Sequence, residues 1–501
     1  MFPLILIAIV TVLIFYRYRK PKHFPPGPPR IPLIGSAPFL TKYPTLYLRV
    51  NGLIEEYGKI CGFYLGSRSI VILSDLEMIK KVYKTEEASQ RPKNAAGSLR
   101  FGKPDGSDVK GILFSSGPAW REQRRFALKN LKDFGFGKSS MEEMIQHEAL
   151  KLCTHLHKTS GQPTQLDSYL NISIVNALWK ILVGEELDVE NPRHLETINI
   201  INKLVRSSGG VNHPLAQIFP PLIKMFPKFF LKDVTDVIKT VRGITTPLLD
   251  QHKQSFDQHH LRDFADVHIQ AQLDAQPGSS FHGEQGAQNL EINLLDLMIA
   301  GSETTSTTIT WGILYLLHHP DIQERLHEEL DSVVGRDRIP TLQDEAKLPY
   351  MSATLHEIQR SSSIVHIGVP HRTDVDIELD SFVIPAGSTI FANIMQVMHN
   401  PEVFQDPLIF NPSRFLDESG KFQPNPNVIP FLVGKRICLG SSLAEKELFL
   451  FFSLLLQTFS FHPVPGEKLP SYSTKSTVYT SNSIIRFCPH YSLIVKPRNQ
   501  P

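Results

Sequence analysis

The sequence predicts a mainly α body with small β pieces at both ends, an α+β class. Three observations predict it. Helical periodicity runs from about Pro118 to Arg360; strand-like, β-branched stretches occur near residues 60–73, 375–385 and at the C-terminus; no repeat or second linker divides the 501 residues. Length alone allows about three domains. A hydrophobic content of 41% can fill a sizeable core and excludes a wholly disordered chain. With Lys+Arg 52 against Asp+Glu 50, the formal charge of +2 argues against a dedicated nucleic-acid binder.

The elements follow in chain order. Phe2 to Tyr16 is uncharged, and Arg17, Arg19, Lys20 and Lys22 come directly after it. Fifteen helical residues span roughly 22 Å, short of the ~30 Å hydrocarbon core, but snorkelling flanks extend the reach. A cleaved signal peptide wants its basic residues before the apolar run and a small-residue site after it, and neither is present. Residues 1–20 are therefore expected to be an uncleaved signal anchor, with everything after the basic cluster on the cytosolic side. Residues 21–30 include Phe24-Pro25-Pro26-Gly27-Pro28-Pro29, which cannot be helical because proline fixes φ and lacks a donor; a stiff hinge is expected. The body is residues 31–501.

Within it, Val50 to Leu73 reads as a helix end followed by strands at Ile60–Tyr64 and Ser69–Leu73. Helix breaks are expected near Gly209-Gly210, near Pro220-Pro221 and across Gln276 to Gln288. Ile292 to Leu317 is a long apolar helix, interrupted by Ala300-Gly301-Ser302-Glu303-Thr304 and further threonines. Strand character returns at Val375–Pro385, and Val478–Cys488 with Tyr491–Val495 suggests a final hairpin. The four cysteines, Cys61, Cys153, Cys438 and Cys488, show no C-x-x-C spacing, so neither a zinc ribbon nor a disulfide framework is expected.

The sharpest chemical signal is Phe431-Leu-Val-Gly434-Lys-Arg436-Ile-Cys438-Leu-Gly440, followed by an apolar helix from Ser441 to Gln457 with serine as its expected cap. A thiolate at a helix N-terminus is stabilised by the dipole and nearby amides, and glycines let the backbone approach a flat group. Two readings compete for an isolated cysteine, a small buried hydrophobe or a nucleophile paired with His371. The F-x-x-G-x-R-x-C-x-G pattern instead resembles the signature of the cytochrome P-450 family, without deviation. Other family motifs occur in order: Trp120-x-x-x-Arg124, Ala300-Gly301-x-Glu303-Thr304, Glu357-x-x-Arg360 and Pro412-Ser413-Arg414-Phe415. In the last, serine replaces the usual glutamate. The anchor, the proline hinge and Trp120-Arg-Glu-Gln-Arg-Arg-Phe126 are similar to the microsomal, family-two-like branch.

The resemblance implies a single-domain cytochrome P-450 fold and a haem b cofactor with Cys438 as axial ligand of the iron. It implies Trp120, Arg124, Arg91, His371 and Arg436 as propionate partners, with Phe431 in the haem-binding loop. Glu303 and Thr304 would form the acid–alcohol pair of oxygen activation, and Glu357, Arg360 and Arg414 a structural lock behind the cysteine loop. The implied activity is insertion of one atom of O2 into a lipophilic fatty acid, steroid or xenobiotic, at the endoplasmic reticulum membrane. No Gly-rich dinucleotide fingerprint is present, so NADPH would act only indirectly, through a reductase, with cytochrome b5 as a second partner. Arg121, Arg125, Lys129, Lys132 and Lys435 are the expected docking cations. The apolar, proline-broken stretch His213–Phe230 has two competing readings, a membrane contact beside an entrance or plain interior packing. A thiolate-haem isomerase or dehydratase, or a non-catalytic haem sensor, is the alternative.

Overall fold

The computed structural model describes residues 18–43, 45–93, 101, 107–133, 139–188, 191–207, 218–219, 221–473 and 483–498. The expected anchor at Phe2–Tyr16 and the Gly209-Gly210 break lie outside the described residues, as do residues 213–217 and Pro220 of the 213–230 stretch.

The longer helices are α1 (Leu46–Tyr57), α2 (Leu76–Tyr83), α3 (Gly117–Asp133), α4 (Ser139–Lys158), α5 (Asp167–Val183), α6 (Pro192–Ser207), α7 (Lys232–Gln254), α8 (Phe264–Leu273), α9 (Gly283–His318), α10 (Pro320–Val333), α11 (Pro349–Ser362) and α12 (Ser441–Thr458). Side chains start several of them as capping chemistry requires: Thr45 Oγ1 accepts from Leu48 N, and the Asp75 carboxylate accepts from Glu77 N and Met78 N.

The spine is α9, 36 residues long and buried on nearly every side through its second half. It starts inside the stretch expected to be a break and runs unbroken through Ala300–Thr308. Glycine and β-branched residues disfavour a helix only weakly, and packing against α5, α7, α8, α11 and α12 overrides them. The hydroxyls of Thr304, Ser306, Thr308 and Thr310 donate to carbonyls four residues back, which satisfies polar groups in an apolar setting.

Strands β1 (Ile60–Leu65) and β2 (Arg68–Leu73) are the two expected strands, and they pair antiparallel. They continue into β7 (Thr389–Ala392), which is parallel to β2, and β4 (His371–Arg372), in the order β1-β2-β7-β4. The expected strand at Val375–Pro385 is a small hairpin of β5 (Ile377–Leu379) and β6 (Phe382–Ile384). Residues 478–482 of the expected C-terminal hairpin lie outside the described residues, and the described remainder pairs otherwise. Strand β9 (Leu493–Pro497) pairs with β8 (Phe459–Pro463) and with β3 (Pro163–Thr164), while residues 483–488 make only an isolated bridge, Val365 with Ile485. The chain leaves α12 directly into β8, so a distant partner is already in place when β9 arrives.

The proline segment is seated on the body. Phe24 is buried against Tyr64, Pro26 O accepts from Gly62 N at 2.7 Å, and a Cβ at Gly27 would meet Gly62 O at 2.2 Å.

Candidate active site

The loop carrying Cys438 closes against α2. Gly434 has φ +90°, and a Cβ there would lie 2.1 Å from Tyr83 O, so only glycine allows Lys435 N to donate to that carbonyl at 3.0 Å. Phe431 O accepts from Cys438 N at 3.1 Å, which fixes the cysteine backbone. Helix α12 then starts at Ser441 with Gly440 as N-cap and no side-chain cap, so the serine expected to cap it is instead its first helical residue. Cys438 lines a cavity of about 280 Å³ between this loop, α9 and the Arg91 segment, and the residue is exposed while its thiol lies deep among protein atoms. Burial pushes the thiol up, opposed by the Gly440 and Ser441 amides and by Arg124. The other three cysteines are buried.

Cations crowd one side of that cavity. Arg91 donates to Leu113 O, Val369 O and Pro370 O at 3.0, 3.0 and 2.8 Å. Arg436 donates to Ser89 O and Ser115 O at 2.8 and 2.6 Å, and its guanidinium lies 3.6 Å above the Trp120 ring. Arg124 donates to Ile437 O. All three arginines line the cavity. Burial, then the neighbouring charges of Arg91 and Arg124, hold Arg436 well below the usual guanidinium range. Beside them, two buried ring nitrogens, the Trp120 Nε1–H donor and His371 Nε2, have no partner among the described residues. His371 Nδ1 bonds Ala88 O at 2.7 Å, and the ring stacks on Tyr83 with centroids 3.9 Å apart.

Across the cavity stands α9. Ala300, Gly301 and Thr304 line it, and Thr304 Oγ1 donates to Ala300 O at 2.9 Å. A Cβ on Gly301 would meet Leu178 Cδ2 at 2.7 Å, so the glycine also lets α5 close onto α9. Glu303 is turned towards α5. Its carboxylate accepts from Asn171 Nδ2 and Thr307 Oγ1, each at 3.3 Å, and it is not among the cavity-lining residues.

Sequence reasoning missed two acids that do line the cavity. Asp296 accepts from Ile112 N and Leu113 N at 2.8 and 2.9 Å, which pins the segment whose carbonyls Arg91 and Arg436 hold from the other side. Glu447 on α12 is the second. Asp296 is an acid inside an otherwise apolar helical stretch, a signal that marks it as unusual but not as a site residue, whereas Glu447 follows Glu445 and Lys446 and carries no such signal.

The three residues expected to form a lock meet. Arg360 donates twice to Glu357, at 2.6 and 2.8 Å, with both side chains wholly buried. Arg414 Nε and Asn411 N add contacts to Glu357 Oε1 at 3.2 and 2.8 Å. The remaining Arg360 donors hold Met398 O and Pro407 O, and Arg414 holds Gln405 O and Ile409 O. The network ties α11 to the segment leading into the cysteine loop. Ser413, standing where the family has glutamate, accepts from Arg325 Nη1 at 3.5 Å.

A sulfur on one wall, a small-residue helix on the other, and buried cations beside two unpartnered ring nitrogens suit a flat group with iron at its centre and carboxylates at one edge. Haem is such a group. The family model for Cytochrome P450 matches residues 25–488, and the chain belongs to the cytochrome P450 family. It is similar to Cytochrome P450 2J2 of Homo sapiens, 33% identical over 467 residues covering 92% of this chain and 90% of the relative. Cytochrome P450 2B4 of Oryctolagus cuniculus is 35% identical over 479 residues, covering 93% and 94%. Cytochrome P450 2D4 of Rattus norvegicus is 33% identical over 473 residues, covering 93% of each. The protein is thus a haem-thiolate monooxygenase, an oxidoreductase with haem as cofactor, a small-molecule substrate and redox partners.

Proposed function

We propose that this chain inserts one oxygen atom from O2 into a lipophilic substrate, a fatty acid, steroid or xenobiotic. The carrying observation is the cavity itself, mostly apolar between its cation edge and α9, with Cys438 and Thr304 on opposing walls. Cys438 Sγ would ligate the iron, and Trp120, Arg91, Arg124, His371 and Arg436 would hold the propionates. Bound through a thiolate, haem supplies the electron-rich iron at which dioxygen is reduced and cleaved. The polypeptide's share is to exclude water, orient substrate and manage protons. Thr304 presents its hydroxyl to the cavity while its proton is held by Ala300 O.

Electrons would reach the site from NADPH through a membrane-bound flavoprotein reductase, with cytochrome b5 as a second donor. Arg125, Lys129 and Lys132 are exposed on α3, with Lys435 exposed near the cysteine loop, as a basic docking face needs. Arg121 is already paired with Glu86 at 2.6 Å. We place the body, residues 31–501, on the cytosolic face of the endoplasmic reticulum, anchored by residues 1–20 through the hinge at 21–30. No described helix is long and apolar enough to cross a membrane. Phe219, Met225, Phe226 and Phe229 are exposed, as is Leu33, and Ile218 O and Leu33 O both approach Gly66, which supports a second membrane contact. The test is turnover of purified enzyme with NADPH and reductase against a panel of fatty acids, steroids and drugs. Oxygenated product from at least one class is expected; NADPH-independent rearrangement of peroxides without oxygen uptake would overturn the assignment.

A further inference from the structure

A buried pair joins two helix ends outside the cavity. His252 stands in the last turn of α7, and Asp263 is the N-cap of α8, with residues 255–262 looping between them. Their side chains are 8% and 2% exposed. His252 Nδ1 lies 2.8 Å from Leu248 O, and Nε2 lies 2.7 Å from Asp263 Oδ2. A carbonyl oxygen only accepts, so Nδ1 carries a proton. A carboxylate only accepts as well, so the second contact needs another proton between Nε2 and Oδ2. The closed pair therefore holds one proton more than a neutral imidazole beside a carboxylate. The helix ends favour that state, because positive charge suits the C-terminus of α7 and negative charge the N-terminus of α8. Asp263 Oδ1 also accepts from Asp266 N at 3.0 Å, which starts α8.

The charges acting on His252 are those of Asp263 and Asp266, both from α8. Asp266 is engaged by Arg262, whose Nε and Nη2 donate to it at 2.6 and 2.8 Å. Arg262 Nη1 also donates to Ser255 Oγ at 3.0 Å, just past the end of α7. On α7 itself Lys253 pairs with Asp250, and α9 meets α7 through Glu291 and Arg242. The end of α5 contributes Gly184, where a Cβ would lie 3.2 Å from Asp263 Oδ2, and Lys180 in that last turn is paired with Glu186. The loop thus has two ties. Arginine stays charged at every relevant pH, so only the histidine tie titrates.

We propose that His252 and Asp263 form a pH-sensitive latch across the 255–262 loop, closed while the pair holds its shared proton and open once that proton leaves. On opening, the Nε2–Oδ2 hydrogen bond breaks and the proton passes to solvent water. The neutral ring keeps Leu248 O, and Asp263 keeps its charge and its cap on α8. The hydrogen bond to Asp263, above all, raises His252 from the usual 6.5, against its burial. A raised folded value contributes stability that is fully present below 6.5 and lost as pH rises through the folded value. The corner is therefore tightest in mild acid and loosens on the alkaline side. Because α7 also packs on α9, a wall of the cavity, the latch sets how firmly the shell around the cavity is tied.

The experiment uses the full haem-loaded chain and two readouts. One is the NMR titration of the His252 ring, assigned by its loss in His252→Gln. The other is amide hydrogen exchange of residues 252–266, divided by the intrinsic chemical rate at each pH. In the wild type the midpoint should lie above 6.5, and protection should fall between about pH 6 and pH 9. The fall should be about tenfold for every pH unit by which the midpoint exceeds 6.5. His252→Gln keeps a donor for Asp263 but cannot titrate, so its protection should stay level over that range. Asp263→Asn should return the His252 midpoint to 6.5 or below. A wild-type midpoint at or below 6.5 would overturn the proposal, as would wild-type protection that stays level with pH. So would a His252→Gln chain whose protection falls with pH as the wild type's does. If either variant fails to load haem, the two wild-type readouts decide.

Discussion

Thr304 and Arg360 show how much a single side chain decides. The Thr304 hydroxyl touches neither the cysteine loop nor the arginine cradle, so Thr304→Ala should leave haem content and substrate-induced spectral shifts nearly unchanged. It should uncouple the cycle: NADPH consumption continues, product falls severalfold and hydrogen peroxide rises. Unchanged product per NADPH in a stopped assay would remove Thr304 from the chemistry and leave it a back-bonded core threonine. Arg360 is the opposite case. Its guanidinium neutralises wholly buried Glu357, and removing one partner of such a pair typically costs about 3–5 kcal/mol because a charge stays buried alone. Arg360→Ala should therefore fail to accumulate as a haem-loaded protein, measured as Soret absorbance per mole of chain. The short motifs at these positions were readable because helix spacing places residues three or four apart on one face. Glu447 and Asp296 were not readable as site residues, since their partners, Thr305 and the amides of Ile112 and Leu113, come from distant segments.

At the scale of elements, local pattern served where local forces dominate. The β1–β2 pair and the β5–β6 hairpin connect neighbours in sequence, and alternation with turn residues announces them. The last strand shows the limit, because β9 takes partners some 30 and 330 residues away, a choice made by packing rather than by pattern. The start of α9 at Gly283 was hidden for the same reason: glycines and glutamines that read as a break are held helical by α8 and α7. Caps show pH sensitivity at this scale. Asp344 closes a capping box with Thr341 and pairs with Arg338, which above all holds its carboxyl down at about 2, against 3.8 in the free state. A lowered folded pKa adds stability that is fully present above the unfolded value and lost as pH falls through the folded one. That contribution should fade between about pH 4 and pH 2. Arg338 is half-exposed, which keeps the effect small. Acid unfolding of Asp344→Asn should show a shallower dependence in that window; an identical slope would mean the carboxyl ionises alike in both states.

At the scale of the molecule, the proposed anchor and hinge would set location and leave the chemistry to the body. Because Phe24 and Pro26 are seated on β1, a cut before them should spare the body. Removing residues 2–20 should release most of the protein from membranes in a flotation assay while its haem spectrum persists. Residual binding should fall further when Phe226 and Phe229 become Asp, as both are more than half exposed. Loss of haem on truncation would show that the division is drawn in the wrong place. The whole arrangement, from the Glu357 lock through the glycine-turned loop to the arginine cradle, presents one sulfur to one cavity. The most direct measurement is therefore the absorption spectrum of the reduced protein with carbon monoxide, for wild type and for Cys438→His. The wild type should show the red-shifted Soret band of thiolate ligation, Cys438→His should lose it, and serine at Cys61, Cys153 or Cys488 should keep it. A wild type without that band, or a Cys438→His variant that retains it, would contradict the account.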